Sequence, residues 1–506
     1  MAMTAKKNRV EATFLLAATA AGAFLRFYRI GKECLWFDEI YTTWRASLSL
    51  GALTDDLARA VLFPPLYFYL LKAWGSLFGT FPAALRTFSA LWGIAAIPVA
   101  YFLAREMFGR KAAVISSTLL VFSSFNIYYS QETKMYTMWW TLLLLSNLSF
   151  VRMVKFNARR CDFWLYIVST AAAMWTFNLT VFAIMSQMIY LAAVHRSWKS
   201  RRKWFQAYLF IALIYCPWPL IFLVRNLISP QGEGVRGALS LTWGAIEWIP
   251  IPDLRSFFMN FVIFISGMRL YVYDLCTWAE AWHTPFRHAS WLCLLVLGFL
   301  LYPIFRERTD RWGFRWLIVI LVLFPSVSMF LYSLLARPLW HPRYLGYISV
   351  LLFIAIGYGY SLSDRKLLSG AAIGILLILN FSVLDFYYSD RVKMPWDELV
   401  VYLASRVESG DSVLFPYEEL ARSMEYHWNL DEERKNKELK LEYPYAKKDE
   451  IREKVKDFEY VWLVLNYSMP RGRRRPPEAG IEVSGYMQER LVFANGLEII
   501  HYVHER

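Results

Sequence analysis

The sequence predicts a polytopic α-helical membrane protein with a small α/β domain at its C-terminal end. Hydrophobic residues make up 57% of the 506-residue chain and charged residues only 19%, and charge-free apolar stretches recur through residues 1–390. Ordinary soluble domains contain about 25% charged residues. The composition therefore excludes a disordered chain, a collagen-like repeat and a small disulfide scaffold.

The apolar stretches predict eleven membrane spans, because a helix needs about 20 mostly apolar residues to cross a bilayer. The stretch 163–194 is basic at both flanks and long enough for two short spans, so we divide it near Asn178. The spans are expected within residues 12–25, 87–104, 112–131, 135–151, 163–194, 204–224, 289–305, 316–336, 344–363 and 367–384. Two further apolar segments, Pro64–Gly79 and Leu254–Met268, are expected to be interfacial or re-entrant helices.

The basic residues predict the orientation, since Lys and Arg near span ends are retained in the cytoplasm. The N-terminus and alternate connections together hold 21 Lys and Arg residues, so these segments are expected in the cytoplasm. The protein is then a multi-pass protein of the plasma (inner) membrane with a cytoplasmic N-terminus. The external segments are 30–86, the turn 131–134, the loop 225–288, the link 337–343 and the C-terminal tail.

The composition changes after Asp390, which predicts a transmembrane domain in residues 1–390 and an external α/β domain in residues 391–506. The tail carries 19 basic and 22 acidic residues, so the net charge of +14 arises in the apolar part. The basic residues of the apolar part are divided among short loops, which disfavours a nucleic-acid partner. In the tail we expect helices at Trp396–Glu408 and Glu418–Trp428, strands at Asp411–Phe415, Tyr460–Leu465 and Glu498–Val503, and solvated loops at Asp431–Lys440 and Arg471–Pro477.

Two adjacent carboxylates, Asp38 and Glu39, follow an aromatic pair just outside the first span. A partly desolvated carboxylate at this level can have a raised pKa and accept a proton from a hydroxyl. The alternative is that both acids cap the next helix. The sequence leaves these two interpretations open.

Further polar groups gather on the same predicted side of the membrane. In the second external turn, Lys134 can bind a lipid phosphate and Glu132 can orient a sugar hydroxyl or a metal ion, although a turn that only marks span ends is the alternative. Arg86 begins the second span, and His341, Arg343 and Tyr344 begin the tenth.

Taken in order, these motifs resemble the GT-C glycosyltransferases, in the branch that contains protein O-mannosyltransferases and aminoarabinose transferases. The resemblance is densest in the first part of the chain. Many relatives have His or Lys before the Pro pair, where this chain has Phe63. The motifs are Leu35-Trp36-Phe37-Asp38-Glu39, Phe63-Pro64-Pro65-Leu66-Tyr67, Ala84-Leu85-Arg86, Phe108-Gly109-Arg110, Tyr129-Ser130-Gln131-Glu132, Lys134-Met135-Tyr136 and Arg343-Tyr344-Leu345.

The resemblance implies a GT-C type enzyme that transfers a sugar from a polyprenyl-phosphate donor, held among membrane lipids, to a hydroxyl on a protein, lipid or glycan at the outer face. Asp38 then inherits the role of catalytic base, Glu39 that of a supporting acid, and Glu132 that of the acid in the second turn. Arg86 matches the Arg at the start of the second span.

The remaining roles follow from the chemistry of the donor. Cations are needed where charge develops on the leaving phosphate, and we expect Arg86, Lys134 and Arg343 to supply them as the sugar is transferred with inversion. The residues expected to contact the substrate are Gln131, Tyr136, His341 and Tyr344, with an interfacial-belt role as the alternative for the two tyrosines.

Several alternatives remain at this point. Glu132 is a second candidate base, or it holds a divalent cation together with Asp38, and no metal-ligand spacing decides between these. No other cofactor is expected. A ligase or polymerase of lipid-linked glycans shares the architecture. A transporter or flippase would show charges near the membrane midplane and an internal repeat. Nearly every charge here lies at a span end and no convincing repeat is present, which disfavours that class.

Overall fold

The computed structural model divides the chain into two compact units, which are described separately. The first unit is drawn from residues 1–30, 45–270 and 284–385, and the second from residues 31–44 and 386–506, in each case as far as the structure describes them. The described residues are 2–59, 63–156, 159–193, 198–227, 249–267, 286–307, 310, 312–408, 411–416, 418–435, 437, 439–443, 448–466, 483–493 and 497–504. The segment Arg471–Pro477, predicted to be a loop, lies outside them.

Helices dominate the first unit, and a helical segment lies at each of the eleven places where the sequence predicts a span. These segments are α1 (Ala2–Phe27), α5 (Pro82–Phe108), the pair α6 (Arg110–Phe122) and α7 (Ser124–Ser130), α8 (Tyr136–Lys155), α9 (Arg160–Thr176), α10 (Thr180–Ala193), the pair α11 (Trp198–Tyr215) and α12 (Pro217–Leu227), α14 (Phe286–Arg306), α15 (Phe314–Leu335), α16 (Tyr347–Leu362) and α17 (Lys366–Ser389). Among the described residues, five helices are long and apolar enough to cross a membrane, or six if α6 and α7 form one bent span. The number of spans therefore stays a prediction.

The helix breaks have local causes. The long run 163–194 is interrupted at residues 177–179, around Asn178 as predicted, where the Thr180 hydroxyl bonds the carbonyl of Phe177. The 57° bend between α6 and α7 falls at Ser123. The Ser123 side chain accepts the backbone N–H of Asn126 and so caps α7.

Helix α2 (Phe37–Ser47) lies mostly in the second unit, and three further helices belong to the first: α3 (Leu50–Ala58), α4 (Leu66–Phe78) and α13 (Leu254–Ser266). Helices α4 and α13 form where the sequence predicts interfacial helices. A capping box of Asp253 and Ser256 begins α13. Most of its residues from Met259 onward are buried, so α13 is largely internal to the first unit.

The second unit contains a five-stranded mixed sheet in the order β2-β1-β3-β5-β4. Strand β1 runs parallel to β2 and β3, whereas β5 is antiparallel to both β3 and β4. Its elements are α18 (Trp396–Ala404), β1 (Ser412–Leu414), α19 (Glu418–Trp428), α20 (Glu432–Lys435), β2 (Lys440–Glu442), α21 (Lys448–Val455), β3 (Tyr460–Asn466), β4 (Tyr486–Val492) and β5 (Leu497–His504).

Apolar residues cover both faces of this sheet, because successive strand residues point to opposite sides. On one face Trp462 and Ile499 pack in a buried cluster with residues of α18 and α19. On the other face Leu463 and Ile500 pack with residues of α21. The tail thus contains a small sheet with helices packed on both faces. The predicted loop Asp431–Lys440 is wrong, since it contains α20 and begins β2.

Candidate active site

The turn that joins α7 to α8 is buried inside the first unit. Gln131, Glu132, Thr133 and Lys134 are each at most 9% exposed. A charged turn that only marks the ends of two spans would remain accessible, because burying a charge is costly. That alternative does not fit the structure.

Side chains of neighbouring helices hold this turn in place. The Gln131 amide donates hydrogen bonds of 2.9 Å to the carbonyls of Arg26 and Tyr28 at the end of α1. From α5, the Ser89 hydroxyl donates to the Lys134 carbonyl at 3.1 Å. Gln131, expected to contact substrate, thus has a structural role in satisfying the last carbonyls of a helix.

Arg86 is the fifth residue of α5. Its side chain is only 2% exposed, and Nη1 donates to the carbonyl of Ile30 at 3.1 Å. Ser89, which bonds the Lys134 carbonyl, lies one helical turn further along α5. The predicted cation at the start of the second span is therefore on the helix that contacts the buried turn.

A short 3₁₀ helix, Pro342–Tyr344, contacts Tyr136 at the beginning of α8. The Arg343 guanidinium lies 5.8 Å from the ring centroid of Tyr136 and 5.4 Å from that of Tyr344, within cation–π range. His341 Nδ1 accepts the backbone N–H of Arg343. Burial, and secondarily the nearby Arg343 charge, hold the pKa of His341 well below its usual range, so its imidazole is neutral.

The two tyrosines beside this arginine belong to a larger group of aromatic rings. The Phe177 ring lies 5.6 Å from Tyr344 and 6.5 Å from Tyr136, and Phe63 stacks on Phe177 at 6.0 Å. Tyr136 and Tyr344 are each 2% exposed, so they are not belt residues facing lipid. Sequence reasoning did not select Phe177, although its position at the break between α9 and α10 was the available signal.

The position before the Pro pair also has a cation nearby, although its own side chain is aromatic. The Arg45 guanidinium lies 6.0 Å from the Phe63 ring centroid. Arg45 also forms a 2.6 Å ion pair with Asp56. Many relatives carry a basic side chain at this position. In this chain the position is aromatic, and an arginine of α2 lies beside its ring.

Asp38 and Glu39 lie in the second unit, in the first turn of α2. Glu39 is fully buried, and its Oε2 accepts Lys393 Nζ at 2.7 Å and the Trp36 N–H at 3.4 Å. Asp38 is only half-buried. The capping interpretation therefore applies to Glu39, whereas the convergence of Asp38 with the residues of the first unit stays a prediction.

Lys393 is a site residue that sequence reasoning missed. It is separated from Glu39 by 354 positions, and no local motif marks it. Within the described ranges, no three His, Cys, Asp or Glu side chains form a metal-binding group. The divalent cation considered for Asp38 and Glu132 remains an expectation.

Comparisons with known proteins agree with this architecture. Residues 63–221 match the family model described as dolichyl-phosphate-mannose-protein mannosyltransferase. No curated protein sequence matches the chain. The structure is similar to that of ArnT from Cupriavidus metallidurans bound to undecaprenyl phosphate, with 13% identity, 97% of this chain and 98% of that chain covered, and a TM-score of 0.59.

A second similar structure is the oligosaccharyltransferase AglB from Archaeoglobus fulgidus, in complex with an inhibitory peptide and a dolichol-phosphate. It is 13% identical, with 98% of this chain and 74% of that chain covered, and its TM-score is 0.55. At such identity the likeness establishes the fold. Together with the family match, it confirms the predicted resemblance to the GT-C glycosyltransferases.

Proposed function

We propose that the protein is an inverting glycosyltransferase that moves a sugar from a polyprenyl-phosphate donor to an acceptor hydroxyl at the outer face of the membrane. The observation that supports this most is the burial of four charged side chains in one unit: Arg86, Glu132, Lys134 and Arg343 are 1–9% exposed. Buried charges are expensive, and in membrane proteins they usually serve function.

The sign of these charges suits the donor. Three cations and one acid leave an excess of two positive charges in this set. A prenyl-phosphate sugar is a phosphodiester with one negative charge, and the departing prenyl phosphate gains a second as the sugar leaves. Cations that respond to this added charge stabilise the transition state more than the ground state, which raises the rate.

In the proposed reaction Asp38 is the base. The acceptor oxygen attacks the anomeric carbon, its proton passes to the Asp38 carboxylate, and the bond between that carbon and the phosphate oxygen breaks. Attack opposite the leaving group inverts the anomeric configuration. Asp38 suits this role better than Glu39, because Glu39 is buried and already bonded to Lys393.

The aromatic residues are proposed to bound the sugar. The rings of Tyr136, Phe177 and Tyr344 suit packing against the face of a pyranose or furanose, and Arg343 lies within cation–π range of both tyrosines. Neutral His341 beside them is a hydrogen-bonding group for a sugar hydroxyl.

The test is a transfer assay with purified protein and radiolabelled prenyl-phosphate sugars, followed by thin-layer chromatography, with the matching prenyl-diphosphate sugars in parallel. Transfer from the monophosphate donors alone supports the proposal. Transfer only from diphosphate donors indicates a glycan ligase or polymerase. Movement of labelled lipid across proteoliposomes without transfer indicates a flippase, and either result overturns the proposal.

A further inference from the structure

We propose that Lys393 is a positioning residue for the reaction, because it holds Glu39 and thereby fixes the first turn of α2, which carries Asp38. This inference rests on the proposed function. The Lys393 side chain is 4% exposed and the Glu39 side chain 0% exposed, with 2.7 Å between Nζ and Oε2. Removing one partner from an ion pair so deeply buried leaves the charge of the other less well compensated, which is costly.

The backbone around Lys393 is also bound to the first loop. Both oxygens of Glu33 accept backbone hydrogen bonds, from Val392 at 2.6 Å and from Lys393 at 3.1 Å. Lys32 Nζ donates to the carbonyls of residues 388–390, at the end of α17. The Cys34 thiol donates to the Met394 carbonyl at 3.1 Å. Residues 388–394 are thus attached along their length to residues 32–39.

This arrangement separates the roles of the two adjacent acids. Glu39 Oε2 also accepts the Trp36 N–H, so the carboxylate that Lys393 holds is the one that caps α2. Without the ammonium group, the buried Glu39 carboxylate loses its ion pair with Lys393, and we expect the first turn of α2 to shift. The segment after α17 therefore contributes directly to the placement of the proposed base.

Three variants test the inference in the full-length protein. Lys393→Met removes the charge and should lower kcat about 100-fold with little change in the donor KM, because misplacement of a catalytic group by about 1 Å has this effect. Lys393→Arg keeps the positive charge, and the double variant Glu39→Gln/Lys393→Met removes both charges of the ion pair. Each should therefore recover much of the lost kcat. Lys437→Met is the matched control, since Lys437 Nζ in the same unit bonds the backbone carbonyls of Ala404 and Val407.

A second readout does not depend on sugar transfer. Pulse alkylation followed by mass spectrometry should show faster labelling of Cys34 in Lys393→Met, while exposed Cys161 is labelled as in the wild type. If the wild-type protein transfers no sugar, the proposed function fails and the Cys34 rate alone decides this inference. Wild-type kcat in Lys393→Met, unchanged Cys34 labelling, or a loss that neither compensating variant recovers would overturn it.

Discussion

Replacement of Gly93 by Ala should displace the buried turn and lower transfer far more than it lowers stability. A Cβ at this position of α5 would lie 2.1 Å from Ser130 Oγ and 3.2 Å from Arg26 Nε. Ordinary contacts begin near 3.4 Å, so the two segments must separate by about 1.3 Å. The Ser130 hydroxyl already donates to the Asn126 carbonyl at 2.6 Å, which limits its freedom to rotate away.

The two effects of this substitution differ in size. Overpacking costs about 1–3 kcal/mol, and the higher helix propensity of Ala offsets about 1 kcal/mol, so the net loss of stability is about 0–2 kcal/mol. A shift of about 1 Å beside a catalytic group lowers the rate about 100-fold. Gly93→Ala should therefore lower turnover strongly while lowering the thermal unfolding midpoint only slightly.

The matched control is Gly370→Ala in α17, where a Cβ meets nothing within 4 Å. This variant should keep its turnover and gain up to about 1 kcal/mol of stability. Ser130→Ala in the Gly93→Ala background removes the closest contact and should restore part of the activity. Wild-type turnover in Gly93→Ala would refute the link between this helix contact and the site.

Three further predictions concern donor binding, pH and helix packing. Arg86→Ala should lower kcat and raise the donor KM more than the acceptor KM, whereas Arg225→Ala, at an exposed ion pair, should change none of these; a loss confined to acceptor affinity would contradict the phosphate assignment. Burial lowers the pKa of His427 below 6.5, so at acidic pH the unfolded chain binds more protons than the folded chain. The melting temperature of the wild type should therefore fall as pH drops below about 6.5, and this dependence should weaken in His427→Gln. Gly359→Ala should cost about 3 kcal/mol in thermal unfolding, because its Cβ would lie 1.9 Å from the Leu300 carbonyl oxygen.

The sequence predicted the positions of the long helices well because the signal is local. A charge-free run of bilayer length indicates a helix whatever lies around it. The bend at Ser123 was not predicted, because it leaves the apolar run long enough to span. The interruption at Cys216 was missed although Pro217, which follows it directly, disfavours a continuous helix. Strand β4 was missed because, apart from buried Tyr486, its residues show no apolar alternation and are mostly exposed.

The candidate site could be predicted only where its residues are neighbours in sequence. The turn 131–134 and the segment from His341 to Tyr344 were found as motifs, and both are buried and connected through Tyr136. The partnership of Glu39 with Lys393 could not be found, because no pattern in one sequence relates residues 354 positions apart. Pairing of this kind is decided by tertiary packing.

The turnover of Asp38→Asn tests the central claim most directly. With a prenyl-phosphate sugar as donor, we expect turnover to fall about 10²- to 10⁴-fold, the usual contribution of a general base, while the unfolding midpoint and membrane insertion stay unchanged. Asp55→Asn is the matched control, since Asp55 forms a half-exposed ion pair with Arg225 and should keep wild-type turnover. Undiminished turnover in Asp38→Asn would remove this carboxylate from the mechanism.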